Sequence, residues 1–206
     1  MLFDRLDVTR PVVAAAPALV IVGGAGGVGS IAIQLARQLT DLTVIATASR
    51  RKTAQWYREF SPHHVIDHAK PHAAEVAALG LPGAPGFVFA TTQTGAHLLQ
   101  IIEFLAPQGR LEPIDDTETL DVMPHKPKSL SLHGDLIFTC SLCHTADNER
   151  QHATLTEIAG LVDAGRLRST QSEAFGPIDA TNLARAHALI ESGRAKGKVV
   201  LQGFGV

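Results

Sequence analysis

Short apolar runs alternate with stretches whose apolar residues recur at helical spacing over the first two thirds of the chain. Ala18, Leu19, Val20, Ile21 and Val22 form an unbroken apolar run that ends in glycines, the pattern of a strand buried on both faces. Val28, Ile31, Ala32, Leu35, Ala36 and Leu39 then recur with a helical period. The alternation continues with a strand over residues 43–47, a helix over 52–60 stopped by Ser61-Pro62, a strand over 64–66, a helix over 73–79 and a strand over 87–89. A helix over 94–105 ends before Pro107 and Gly109, a strand spans 110–114, and residues 129–138 read as a sixth strand with an extension.

Strands alternating with helices predict an α/β fold: a Rossmann-type, doubly wound parallel sheet of six strands in the order 3-2-1-4-5-6, with right-handed crossovers. Beyond residue 145 the alternation loosens into a helix over 148–164, an extended stretch over 167–175, a helix over 181–191 and a strand over 198–201. The expected organisation is therefore tripartite. Residues 1–17 are a linker and helix remnant, with Pro11 and Pro17 bounding an Ala-rich stretch that does not form a helix. Residues 18–145 are the dinucleotide-binding domain. Residues 146–206 complete the cofactor domain and belong in part to a second, catalytic domain.

Composition narrows the function classes. Of 206 residues, 45% are hydrophobic and 18% charged, which suits a packed core and excludes long disordered tracts. A formal net charge of −2 argues against nucleic acid as a partner. No apolar run is long enough to cross a bilayer, and Met1-Leu2-Phe3-Asp4-Arg5 lacks the apolar block of an export signal. Two cysteines are too few for a disulfide framework. These features together set the expectation of a cytoplasmic protein with a small-molecule substrate, no nucleic acid and no membrane.

The strongest motif is Gly23-Gly24-Ala25-Gly26-Gly27-Val28-Gly29, which contains G-x-G-x-x-G at Gly24, Gly26 and Gly29. It lies between the first strand and the first long helix, the context a dinucleotide fingerprint requires. Gly24 is expected to make the tight turn, Gly26 to let the backbone approach a pyrophosphate, and Gly29 to let helix and sheet pack closely. Gly27 and Val28 open the helix, whose free N–H groups and positive dipole end suit phosphate.

The end of the second strand sets the choice of cofactor. NAD sites place an acid there for the ribose 2′-hydroxyl. Here the chain reads Ala48-Ser49-Arg50-Arg51-Lys52, with no Asp or Glu. Ser49 with Arg50 and Lys52 suits a 2′-phosphate, so NADPH is expected over NADH.

The run Ile21-Val22-Gly23-Gly24-Ala25-Gly26-Gly27-Val28-Gly29-Ser30-Ile31-Ala32-Ile33-Gln34-Leu35-Ala36 resembles the medium-chain dehydrogenase/reductases. Within them it most resembles the zinc-independent quinone oxidoreductase branch, whose members are often labelled zinc-type alcohol dehydrogenase-like. His64-Val65-Ile66-Asp67-His68, Ala106-Pro107-Gln108-Gly109-Arg110 and Ser192-Gly193-Arg194-Ala195-Lys196-Gly197-Lys198-Val199-Val200-Leu201 also fit. The resemblance implies hydride transfer from NADPH to a quinone, enone or carbonyl substrate. It implies cofactor contacts from Thr91 and Thr92 near the nicotinamide ribose, Asp67 near the adenine and Lys198 at the phosphates. The residues alone read Asp67 equally as a turn cap, and Thr91 and Thr92 as a strand end.

The resemblance further implies that a GroES-like catalytic domain is absent, so that this chain binds cofactor with little or no turnover and no catalytic residue is assigned. It departs from the family pattern at Gln93 and Gly95, where His and Asp are expected. It also implies a homodimer through the sheet edge near Ser129 to Leu132, where Leu130-Ser131-Leu132 alternates. The alternative function is a non-enzymatic NADPH-binding or dimerisation module.

Other motifs carry less. Cys140-Ser141-Leu142-Cys143-His144 has the form of a haem attachment sequence but lacks an export signal, and a lone C-x-x-C does not make a zinc site. No haem and no zinc are expected, and the cysteines read as unpaired. His64, His68 and His72 share helical spacing, but strand residues and Pro71 interrupt it, so surface or loop histidines are expected. Asp115, Asp116 and Glu118 read as a solvated loop.

Overall fold

The computed structural model describes residues 2–204; Met1, Gly205 and Val206, at the outer ends of the first and last expected segments, lie outside the described residues. The apolar runs at residues 16–22 and 85–90 have the length of strands and almost no polar residue, so both of their faces must be covered. They form β1 (Ala16–Val22) and β4 (Pro85–Ala90), which pair in parallel at the centre of the sheet. Around them lie β2 (Thr43–Thr47), β3 (His64–Ile66), β5 (Arg110–Pro113) and β6 (Ser131–Leu132). The order is β3-β2-β1-β4-β5-β6, all parallel, as the alternation predicts.

Successive residues of a strand point to opposite faces, so the central strands feed two cores. On one face Leu19, Ile21, Val44, Ala46, Phe87 and Phe89 pack with α2 (Gly27–Leu39) and α3 (Arg51–Arg58) through Ala32, Ile33, Trp56 and Tyr57. On the other, Val20, Val22, Ile45 and Val88 pack with α4 (His72–Ala77) and α5 (Thr94–Phe104) through Val76, Leu98 and Ile101. This is a doubly wound sheet, and its strand order reverses between β1 and β4. Ligands of such folds sit at that reversal, outside the carboxyl ends of the strands.

Three expectations need correction. Helix α2 buries Ala32 and Ala36 of the expected stripe but leaves its two ends, Val28 and Leu39, 43% and 40% exposed. It also buries Gly29, Ser30, Ile33 and Gln34. The cause is Gly29: a Cβ there would lie 2.1 Å from the Gly24 Cα, so the helix is rotated to present its bare glycine to the loop. The sixth strand stops after Leu132, although His133 still donates to the Leu111 carbonyl at 2.9 Å. Pro113 has no N–H to carry the parallel ladder further, and Leu136, Ile137 and Phe138 are each more than half exposed. Finally, β1 begins at Ala16, inside the expected linker.

The chain enters through α1 (Leu2–Arg5). The buried Arg110 guanidinium donates from Nη1 to the carbonyls of Leu6, Asp7 and Arg10 and so fastens the linker beneath the sheet. After β6 come α6 (Thr139–Leu142), α7 (Arg150–Asp163), β7 (Gln171–Ala174), α8 (Ala180–Glu191) and β8 (Lys198–Val200). Strands β7 and β8 form a separate two-stranded parallel sheet. Among the described residues no helix is long and apolar enough to cross a membrane.

Candidate cofactor site

The glycine loop between β1 and α2 has its tight turn at Gly23, not at Gly24 as the sequence suggests. Gly23 has φ +77°, in the left-handed region, and a Cβ there would lie 2.5 Å from Thr92 Cγ2 and 2.7 Å from Thr91 Oγ1. Both reasons exclude a side chain. Gly24 is instead buried against the Tyr57 ring, 3.0 Å from where its Cβ would stand. At Gly26, the N-cap of α2, a Cβ would meet nothing within 4 Å, so the backbone faces open space. The first hydrogen bond back into the loop is from the Ser30 N–H to the Gly26 carbonyl, at 3.0 Å. The N–H groups of the first turn of α2 have no partner within the helix and suit a ligand.

Open space above the loop is part of a cavity of 510 Å³, within the usual size of a small-molecule site. Of the expected residues, Gly26, Gly27, Val28, Gly29, Ser49, Arg50, Thr91 and Thr92 line it. Gly24, Lys52, Asp67 and Lys198 do not. Lys52 is exposed on the first turn of α3. Asp67 caps a turn: its carboxylate accepts from the Ala69 N–H at 3.0 Å, and its own N–H donates to Glu75 Oε2 at 3.2 Å. Thr91 faces the cavity, but its hydroxyl lies 2.9 and 3.0 Å from the Val22 and Gly23 carbonyls and holds the loop. Lys198 lies across Gly27, its Cε 2.2 Å from where a Cβ would stand.

The last strand brings that lysine in. The C-terminal segment folds over the loop: Gly197 bridges Gly26, and the Gly197 N–H donates to the Ala25 carbonyl at 2.8 Å. Arg50 Nη2 donates to the Gly193 carbonyl at 3.1 Å. Gly193 and Ala195 thus join the cavity wall from about 140 positions downstream, which the local pattern could not reveal.

Sequence reasoning also missed Thr47, Tyr57, His68, Gln93 and His97. Tyr57 donates to the Thr47 carbonyl at 2.9 Å; burial pushes its hydroxyl well above the usual phenol range, so it stays protonated. Gln93 caps α5 with φ 53°, unusual for a residue with a side chain. The His97 ring stands 6.1 Å from His68 and 5.1 Å from His72. His72 is fully buried rather than a surface histidine. Burial, with His97 next, lowers the pKa of His72; burial, with His68 next, lowers that of His97. Asp115 is not merely solvated: its Oδ2 accepts from the Thr94 N–H at 2.9 Å and caps α5 from the neighbouring strand end.

The electrostatics of the wall are one-sided. Among the described residues that line it, Arg50 is the one of fixed charge, and none is Asp or Glu. Among the described residues no group of three His, Cys, Asp or Glu side chains could hold a metal ion.

Known proteins place this geometry in a family. A crystal structure of a candidate zinc-dependent alcohol dehydrogenase from Rhizobium etli CFN 42 is 58% identical, with a TM-score of 0.95 over 99% of this chain and 59% of its own. An NAD-dependent alcohol dehydrogenase structure is 25% identical, with a TM-score of 0.76, covering 98% of this chain and 54% of that one. A zinc-type alcohol dehydrogenase-like protein of Staphylococcus aureus (strain COL) is 30% identical over 201 residues, 97% of this chain and 59% of the relative. The chain thus spans under two thirds of the length of these relatives. Residues 61–201 match the zinc-binding dehydrogenase family, and the chain belongs to that family, with a Rossmann-type oxidoreductase domain.

Proposed function

We propose that the cavity is the seat of NADPH, and that the chain serves an oxidoreductase transferring hydride to a quinone, enone or carbonyl carbon. The observation that carries the choice of cofactor is the wall at the end of β2, where Ser49 and Arg50 stand and no carboxylate lines the cavity. A 2′-phosphate needs cationic and hydroxyl donors, whereas a 2′-hydroxyl is held by an acid. One bond to the Gly193 carbonyl leaves Arg50 four of its five N–H donors.

The remaining residues divide the work of binding. Gly26 and Gly27 offer bare backbone and the start of α2 to the pyrophosphate. Thr91 holds the loop in shape, and Thr92 and Gln93 stand at the end of β4, where the nicotinamide ribose is expected. Lys198 lies over Gly27, with its ammonium close to the phosphate path. When bound, the nicotinamide supplies the hydride; the protein orients it and excludes water.

A fluorescence titration tests the reading. Wild type is expected to bind NADPH more tightly than NADH, and Arg50→Ala to lose roughly 1.5–3 kcal/mol of NADPH affinity with little change for NADH. Equal affinities in wild type, or equal losses for both cofactors in the variant, would refute it. The neighbouring NAD-dependent alcohol dehydrogenase favours NADH as the second reading, and the same titration decides between them.

A further inference from the structure

Cys140 and Cys143 stand on the one-turn helix α6, outside the cofactor cavity. Cys143 is exposed and Cys140 half-buried, and neither is in a disulfide. Cys140 lines a second cavity, of 160 Å³, that shares no lining residue with the first. The turn is regular: the Leu142 N–H donates to the Phe138 carbonyl at 2.8 Å and the Cys143 N–H to the Thr139 carbonyl at 2.9 Å. Residues three apart on such a turn have Cα atoms about 5 Å apart, within the roughly 4.4–6.8 Å that a disulfide spans, while their Cβ atoms must close from about 5–6 Å to about 3.8 Å. Closure therefore needs only a small tightening of one exposed turn, and no buried side chain of α6 resists it.

The two thiols are not equivalent. Cys140 is half-buried in the wall of the second cavity. Cys143 has open solvent in front of it. Among the described residues no third ligand completes a metal site around the pair, so its chemistry is that of a dithiol.

We propose that Cys140 and Cys143 form a thiol–disulfide exchange site whose co-substrate is a low-molecular-weight disulfide, with Cys143 attacking and Cys140 resolving. In the first exchange, ionised Cys143 Sγ bonds to one sulfur of the small disulfide. That S–S bond breaks, one thiolate leaves, and the Cys143 proton goes to solvent. In the second, Cys140 gives up its proton to solvent, and its Sγ attacks Cys143 Sγ. The mixed disulfide breaks and the second thiolate leaves. The dithiol is oxidised by two electrons and the small disulfide is reduced to two thiols, so the exchange balances.

Oxidised glutathione is the probe, and intact mass is the readout, on folded wild type and on single serine variants. Wild type should lose two hydrogen atoms and both free thiols together, without accumulating a glutathione adduct. Cys140→Ser should trap one glutathione on Cys143. Cys143→Ser should be modified at least about tenfold more slowly, because the remaining thiol is half-buried. A stable mixed disulfide in wild type, retention of both thiols, or equal rates in the two variants would overturn the assignment. Wild-type mass alone still decides whether the pair closes if a variant fails to fold.

Discussion

The six-stranded sheet and the segment that follows it bury their apolar residues to very different degrees. In the sheet, every residue of β4 and all but one of β1 are buried, and the helices on both faces contribute to closed cores. In the segment after β6, α7 buries only Leu161 and α8 only Ala186, while Leu155, Ile190 and Val162 are 67%, 55% and 46% exposed. The sheet is held by burial. The later segment is held to it chiefly by polar contacts, among them Gln34 to Arg168, Gly197 to Ala25 and Arg50 to Gly193. Two of those three contacts fall on the rim of the cofactor cavity. The weaker region is therefore tied most closely to the strong one where the ligand is proposed to sit, so order in the segment and occupancy of the cavity should rise together.

The largest effect should come from the point where helix and loop touch. Gly29→Val places carbon inside the Gly24 backbone and should cost roughly 4 kcal/mol and abolish cofactor binding. A melt and a titration unchanged from wild type would remove the reason given for the rotation of α2. Next comes a matched pair. Ile101→Ala, in the core, should cost about 2–5 kcal/mol, while Ile190→Ala, on α8, should stay within about 0.5 kcal/mol. Similar losses in urea unfolding would erase the contrast between the two regions.

The core also contains a charge problem. Glu112 on β5 is fully buried with neither carboxylate oxygen hydrogen-bonded to a defined partner. Burial, and then Asp135 beside it, pushes its pKa up to about 8 from 4.5. The folded state therefore holds this proton more tightly than the unfolded chain does. The benefit is full below pH 4.5 and is lost as the pH rises through about 8, with a slope of up to about 1.4 kcal/mol per pH unit. Glu112→Gln should flatten stability across that window; a wild-type curve already flat from pH 5 to about 8 would contradict it. A smaller loss than in the core is expected for Gln34→Ala, which removes a bond to the Arg168 N–H at 2.8 Å and one to its carbonyl at 3.2 Å. It should cost about 1 kcal/mol and speed hydrogen exchange in β7 and β8 but not in β1. Uniform acceleration would mean that the segment is not a separate unit.

The sheet was legible because its signal is local. Short apolar runs mark β1, β2 and β4, and the glycine loop lies where the motif puts it. The rotation of α2 was not legible, because a contact between two glycines outweighs the apolar stripe. The cavity wall was half legible. Ser49 and Arg50 follow a recognisable strand, but Tyr57, His97 and Gly193 reach the cavity only through tertiary packing. Asp67 stands outside the cavity wall, its short side chain used locally in an Asx turn. The segment after residue 145 gave the weakest signal for the same reason that it is weakly buried: few of its apolar residues face a partner.

Binding of 2′,5′-ADP and of 5′-AMP by calorimetry tests the central claim most directly, because the two ligands differ only by the phosphate assigned to Ser49 and Arg50. The account predicts that 2′,5′-ADP binds wild type at least about tenfold more tightly, a difference of about 1.4 kcal/mol. Equal affinities, or tighter binding of 5′-AMP, would show that the end of β2 does not read the 2′-phosphate and would return the cavity to NADH.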